Sequence, residues 1–392
     1  FYTASGGRND WSVREGNVFA QRLRWSDDQG LTIHDAGEVI PWMIAENRDP
    51  KVFWHDSTKA YIMVLYLDGN DFLILRSEDL RHWKESQKLS IPGMWECPAL
   101  MELPVEGTDE KRWVFWSADG YYVIGTFDGY QFTAQTDRLM AYFSRRAYAA
   151  QTYDNTGDRV IAMPWMSNWQ YANLTPTQQF RSCNALAREL KLYTAPNGKL
   201  LVSAAPVAEL KALRKDSLEI GQISLGEKTV RQLPEKAENG TFELEFTLHP
   251  EKATTCGVKL LNDKGEMVNI YYDAKQQRIV MDRAQSGITD FGKNVAPHHL
   301  DNAESLKRYE TLTVNYHNAF ALGTWAPLFN DKNNAHKVSI YVDRSSVELF
   351  VDGGRVAMTN LVFPTKPYNQ LQFYAEGGQA RVSDAKVYGL AL

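Results

Sequence analysis

Three stretches of the chain carry one form at a nearly fixed interval. They are "WSDDQGLTI" (25–33), "RSEDLRHW" (76–83) and "TFDGYQF" (126–132), each an aspartate in a polar turn followed by an aromatic or β-branched residue. The aspartates are Asp28, Asp79 and Asp128, spaced by 51 and 49 residues. Strand-like apolar runs precede the second and third, "YIMVLYL" with "DFLILR" and "RWVFWSA" with "YYVIGTF". A further unit begins at "YAAQTY" (148–153) and continues through "DRVIAMPWMSNW" (158–169). A period of about fifty residues with about four short strands marks a β-propeller blade. Helical repeats would show a 3.6-residue periodicity, which these runs lack.

From about residue 195 the texture changes. "TAPNGKLLVSAAPVAELKALRKDSLE" reads as a turn, a strand and a short helix at about 206–215. Alternating runs follow, among them "TFELEFTL" (241–248), "MVNIYYD" (267–273) and "HKVSIYVDRSSVELFVDGG" (336–354), the last a hairpin turning at 343–346. Alternation punctuated by turns predicts an antiparallel β-sandwich. The expected organisation is a partial propeller over 1–195, a linker with a short helix over 196–215, and a sandwich over 216–392.

The bulk numbers exclude several classes. A net charge of −5 over 392 residues, with scattered basic side chains, offers no patch for nucleic acid. No apolar run approaches the roughly 18 residues that cross a bilayer. The three cysteines, Cys97, Cys183 and Cys256, are too widely spaced for a zinc knuckle or a disulfide framework. Aromatic residues make up 12% of the chain, which suits an all-β core and also stacking on sugar rings. His55, His82, His298 and His299 do not stand with carboxylates at metal-ligand spacing. No serine elbow, P-loop or dinucleotide fingerprint is present. No metal and no cofactor is expected.

Two carboxylates sit at corresponding places in successive repeats. Asp49 heads an apolar run in "NRDPKVFW" (47–54), and Glu96 precedes another in "WECPALMEL" (95–103). Equivalent positions of successive blades surround the propeller axis, so the two would converge on one pocket. Taken singly, each also fits an ordinary strand-entry or turn carboxylate. Arg48 beside Asp49 would hold it ionised and could donate to a ligand hydroxyl. Glu96, between Trp95 and Cys97-Pro98, has an apolar setting whose desolvation would raise its pKa, as suits a general acid. Two carboxylates in different environments within an aromatic pocket are the pattern of glycoside hydrolysis.

These motifs resemble glycoside hydrolase family 32. The resemblance rests on "RDPKVFW", "WECPALMELP", "FDGYQF", "YAAQTY" and "NWQYAN" (168–173), with "ARELKLY" (187–193) and "DRSSVELFVDGG" (343–354) further on. It covers essentially the whole chain. It implies a five-bladed β-propeller followed by a β-sandwich, and retaining hydrolysis of β-fructofuranosides such as sucrose, inulin and levan without a cofactor. By motif, Asp49 is expected to stabilise the transition state. Arg48 would bind the same sugar, and Glu96 would serve as general acid/base. Cys97 would pack beside Glu96 and tune it. Trp169 would wall the fructose pocket, and Tyr148 is placed with the substrate-binding residues.

The chain also departs from that pattern. The family's nucleophile is an aspartate in a W-M-N-D-P-N-G type motif ahead of R-D-P, and no such motif occurs here. The Asn-Asp pair at 9–10 lacks the Pro-Asn that follows, and Asp10 is expected in a surface loop. The opening "FYTASGG" resembles the middle of a second blade. A first blade and part of a second are therefore expected to be missing, and with them a serine-containing pocket strand. Ala99 stands where the family often has Asp after Glu-Cys-Pro, and Arg146-Ala147 where it often has Asp-Phe.

The resulting expectation is a fructan or sucrose hydrolase, truncated at its N-terminus and inactive without its nucleophile. A non-catalytic fructan-binding protein and another five-bladed propeller glycosidase, acting on arabinan or xylan, are the alternatives. By resemblance, the location is secreted or periplasmic. Linkage preference, transfer against hydrolysis, and oligomeric state are not encoded in any motif found.

Overall fold

The computed structural model describes residues 1–6, 10–14, 16, 18–142, 147–167, 172, 174–226, 229–232, 239–291, 320–321, 323–329 and 334–391. They form two compact units, Phe1–Met140 with Ala149–Ala162, and Ala141–Tyr148 with Met163–Leu392.

The first unit holds three successive antiparallel sheets. The first contains β1 (Tyr2–Ala4), β2 (Ala20–Trp25) and β3 (His34–Ile40), paired in that order. The second is a meander of β4 (Arg48–His55), β5 (Ala60–Asp68), β6 (Asp71–Ser77) and β7 (Lys84–Ser90). The third runs β8 (Ala99–Pro104), β9 (Lys111–Trp116), β10 (Tyr121–Phe127) and β11 (Phe132–Ala134), with β12 (Leu139–Met140) also on β10.

The run "YIMVLYL" is apolar at every position because the middle sheet is covered on both faces. Successive strand residues point to opposite sides. Met63, Leu65 and Leu67 pack with Leu73, Leu75 and Ile40, towards the first sheet. Ile62, Val64 and Tyr66 pack with Phe72, Ile74, Leu100, Phe115 and Val123, towards the third. Sheets stacked face to face in this way are propeller blades. A fully buried side chain of this size contributes roughly 1.5–3 kcal/mol, so the interleaved layers hold the blades together.

The repeated aspartates close the turns ahead of β3, β7 and β11. Asp28 Oδ1 accepts the Thr32 N–H at 2.8 Å, Asp79 Oδ1 the Arg81 and His82 N–H groups at 2.9 and 2.8 Å, and Asp128 Oδ1 those of Tyr130 and Gln131 at 2.7 Å. Hydrogen bonds to the ionised form hold Asp28 down to about 2 and keep Asp79 and Asp128 below the ordinary range. Asp10 is exposed but does not sit in a loop. It opens a five-residue helix, Asp10–Arg14, with an acid in the first turn and a base in the last, the order a helix dipole favours.

In the second unit, strands Arg188–Thr194 and Leu200–Pro206 form a hairpin. A 3-10 helix, Ala208–Leu213, follows. Two six-stranded sheets come next. One runs Arg214–Leu225, Ala380–Leu390, Phe242–His249, His336–Asp343, Ser346–Val351, Val356–Leu361 in spatial order. The other runs Thr229–Gln232, Gln370–Glu376, Thr255–Leu261, Met267–Asp273, Arg278–Gln285, Thr324–Pro327. Their inner faces share one core, with Phe242, Leu244, Phe246 and Leu248 at alternate positions of a single strand. The hairpin read at 336–354 is present, with Asp343 opposite Ser346. The architecture is all-β, propeller blades in the chain's first half and a β-sandwich after them.

Candidate active site

The site begins with a break in a ladder. Arg48 pairs with Tyr66 across the β4–β5 hairpin, and the next pair is Lys51 with Val64. Asp49 and Pro50 are the residues left out of register. A proline cannot donate to a ladder, so it suits a bulge, and bulges re-aim side chains beside functional sites. Asp49 takes a left-handed backbone, φ +63°.

The second carboxylate shows the same device. Glu96 and Cys97 are both left-handed, with φ +51° and +43°, just ahead of β8. Each such non-glycine residue costs roughly 1–2 kcal/mol, and three together persist only where their surroundings hold them. The holding groups are visible. Ala118 N–H donates to the carbonyls of Trp95 and Glu96 at 3.3 and 3.1 Å. Cys97 N–H donates to Asp49 Oδ2 at 3.0 Å, and the Cys97 thiol lies 3.6 Å from the same oxygen. Asp49 N–H donates to Thr3 Oγ1 at 3.0 Å. The Cys97–Asp49 bonds join the turn before β8 to the bulge of β4.

Arg48 is held from several sides. Its Nη2 donates to Glu96 Oε1 at 2.5 Å and its Nη1 to the Glu46 carbonyl at 2.8 Å. Its guanidinium carbon stands 4.8 Å from the centre of the Tyr66 ring. Its nearest approach to Asp49 is 3.8 Å, from Nε to Oδ2. The expected partnership is therefore reversed. The arginine adjacent to Asp49 in sequence makes its close ion pair with Glu96, because the bulge turns the Asp49 carboxylate towards the Cys97 amide. The flank of Glu96 is correspondingly less apolar than "WECP" suggests, since a charged donor touches it.

The charges follow from this geometry. Burial pushes Asp49 above the ordinary aspartate range; the Cys97 N–H and Arg48 oppose that push without cancelling it. Burial also pushes the Cys97 thiol far up, aided by Asp49 and Glu96. Burial works against the charge on Arg48, yet the bond to Glu96 and the nearby carboxylates keep its guanidinium above its usual value.

Trp95 packs partly buried against the core between the second and third sheets. Tyr148 belongs to the second unit, its ring edge-on to Trp165 at 6.3 Å between centres. Trp169 and Arg146 lie outside the described residues, as do His298 and His299. Ala99 is buried at the start of β8. Among the described residues no three His, Cys, Asp or Glu side chains are grouped to hold a metal ion. Thr3 and Gln21 were not singled out from the sequence. They lie 46 and 28 residues before Asp49, in an unremarkable strand pair, and no spacing rule points to them.

Comparison with known proteins finds relatives for both halves of the chain. Residues 1–204 match the N-terminal domain of glycosyl hydrolases family 32, and residues 209–389 match that family's C-terminal domain. The levanase of Bacillus subtilis strain 168 is 30% identical over 403 residues, an alignment covering 96% of this chain and 55% of the levanase. An extracellular exo-inulinase of Meyerozyma guilliermondii is 27% identical, covering 95% of this chain and 74% of that protein. The chain thus spans about half the length of the levanase. Among solved structures, exo-inulinase from Aspergillus awamori superposes with a TM-score of 0.79 at 25% identity, covering 95% of this chain and 74% of that one. With both halves matched in order, the chain belongs to glycosyl hydrolase family 32.

Proposed function

We propose that this chain carries the acid/base half of a β-fructosidase, releasing fructose from β-fructofuranosides such as levan, inulin or sucrose with retention. The observation that carries the reading is the single cluster formed by Arg48, Asp49, Glu96 and Cys97, with three of the four in strained left-handed backbone. Strain of this kind collects at functional sites, and the cluster lies within a family whose relatives include a levanase and exo-inulinases.

In this reading Glu96 gives a proton to the leaving glycosidic oxygen and later takes one from the attacking water. Arg48, fixed by the Glu46 carbonyl and the Tyr66 ring, aims the Glu96 carboxyl and donates to sugar hydroxyls. Asp49 accepts hydroxyl hydrogens of the fructose ring and offsets the positive charge developing at the anomeric carbon. Cys97 acts through its backbone, whose N–H orients Asp49. Tyr148 and Trp169 stay in the reading as substrate-binding residues on their motifs alone. The 392 residues contain no motif of the family's nucleophile type, so the covalent step is not assigned to any residue here.

We read 1–195 as the propeller part, 196–215 as a linking segment that holds the second strand of the hairpin and the short helix, and 216–392 as the sandwich. The relative named as an extracellular exo-inulinase supports a secreted or periplasmic location, and no described helix is long and apolar enough to cross a membrane.

Retention has a direct test. The assayed polypeptide is the full reading-frame product that contains these residues. Incubated with sucrose and methanol, a retaining enzyme forms methyl β-D-fructofuranoside, identified by NMR. Formation of the α-anomer alone would remove the two-step reading.

A further inference from the structure

We propose that Thr3 and Gln21 are positioning residues for Asp49, acting on the reaction through its backbone; this rests on the reading of Asp49 given above. Thr3 and Gln21 face each other directly across the β1–β2 pair. The Thr3 hydroxyl donates to Gln21 Oε1 at 2.8 Å. A hydroxyl has one donor and two acceptor sites. With its hydrogen committed to Gln21, the oxygen of Thr3 turns a lone pair towards Asp49 N–H, 3.0 Å away.

Gln21 is fixed from its other end. Its Nε2 donates to the Asn47 carbonyl at 3.1 Å, which settles which way its amide faces. Gln21 and Asn47 are both fully buried. A buried amide without partners is costly, and that of Gln21 spends its oxygen on the Thr3 hydroxyl and its nitrogen on the Asn47 carbonyl. The contacts close a ring from Thr3 through Gln21, Asn47 and Arg48 to Asp49. The Asn47 side chain joins in, its Oδ1 accepting the Met43 N–H at 3.2 Å and so fastening the loop that enters β4.

The ring sits where the ladder cannot help. Asp49 is out of register with β5, so its N–H has lost the partner a strand would supply. Its left-handed backbone would relax towards the extended region if that N–H were released. Relaxation would swing the carboxylate away from the Cys97 N–H. A misplacement of about 1 Å at a reacting group can cost about a hundredfold in rate.

The test uses Thr3→Val, which keeps the shape and removes both hydrogen bonds, Thr3→Ser, which restores them, and Asp49→Asn as reference. The full reading-frame product is assayed on sucrose and inulin, with melting temperatures alongside. The expected result is a kcat lowered about 10–100-fold in Thr3→Val, a KM within about twofold, and recovery to within about threefold in Thr3→Ser. A role in folding alone would lower the melting temperature and leave kcat per folded molecule unchanged. Gln21→Leu gives the same pattern if Thr3→Val does not fold. Should Thr3→Val retain kcat within twofold while Asp49→Asn is inactive, the positioning role is wrong and the site reading stands. Should Asp49→Asn itself be active, the site reading fails and the positioning role with it.

Discussion

Arg48 approaches Glu96 to 2.5 Å but comes no closer than 3.8 Å to Asp49, its neighbour in sequence. The guanidinium thus serves the Glu96 carboxyl first. It also donates to the Glu46 carbonyl and lies over the Tyr66 ring, three tasks that need its planar fork. Lysine offers one point charge on a flexible stem. Arg48→Lys is expected to lower kcat/KM about 10²–10³-fold, read by steady-state kinetics on sucrose. A loss under tenfold would show that charge alone suffices.

Asp49 links stability to pH with a definite sign. Burial raises its pKa in the folded state above the ordinary value near 3.8. The unfolded chain therefore ionises first, and ionisation of Asp49 opposes folding. The favourable contribution of its neutral form is complete below about pH 3.8 and is lost as pH rises through the raised folded value. Asp49→Asn carries no charge, and Asn tolerates left-handed backbone. It is expected to be inactive yet to melt at a higher temperature than the parent at pH 7. The gap should close below pH 3.8. Differential scanning calorimetry across pH 3–8 checks this; a lower melting temperature at pH 7 would contradict the sign.

Much of the fold was legible because the repeat leaves a physical trace. Asp28, Asp79 and Asp128 bind turn amides at one reversal of each blade's meander, so their spacing reports blade length. "YIMVLYL" reads as a strand buried on both faces for the same reason. The site was half legible. Asp49 and Glu96 were identified from motif, and the structure brings Arg48, Asp49, Glu96 and Cys97 together. Their backbone was not legible, because left-handed φ at Asp49, Glu96 and Cys97 is imposed by hydrogen bonds from distant residues. The pairing of Arg48 with Glu96 was missed because sequence adjacency favours Asp49, and only the bulge reverses it. The helix opened by Asp10 was missed because five residues carry too little periodicity to read.

The three thiols are predicted to be unreactive in the native protein. Burial raises Cys183 to about 11 and Cys256 to about 12, and Cys97 is pushed far up beside Asp49. At pH 8 a thiol at 11 is about one part in a thousand thiolate, the reactive form. Iodoacetamide at pH 8 should leave all three largely unmodified for an hour, while denatured protein reacts fully. Rapid native labelling of Cys97, seen by peptide mass spectrometry, would contradict this.

A buried ion pair braces the second unit. Arg188 Nη2 donates to Glu348 Oε2 at 2.8 Å, Thr359 donates to the same oxygen at 2.7 Å, and Glu348 Oε1 accepts the Leu186 N–H at 2.8 Å. Arg188 is fully buried, so removing its partner strands a charge. Glu348→Ala is expected to destabilise by about 3–5 kcal/mol. Urea unfolding followed by fluorescence reads this, and a change below about 1 kcal/mol would mean that water reaches Arg188.

The central claim is that Glu96 and Asp49 carry out fructose release together. The direct measurement is fructose produced from sucrose, inulin and levan by the full reading-frame product, its Glu96→Gln variant and its Asp49→Asn variant, with folding verified for each. The account predicts release by the parent and a loss of about 10³-fold or more in both variants. Release by Glu96→Gln at parental rate would contradict it, as would a parent that binds fructan but frees no fructose.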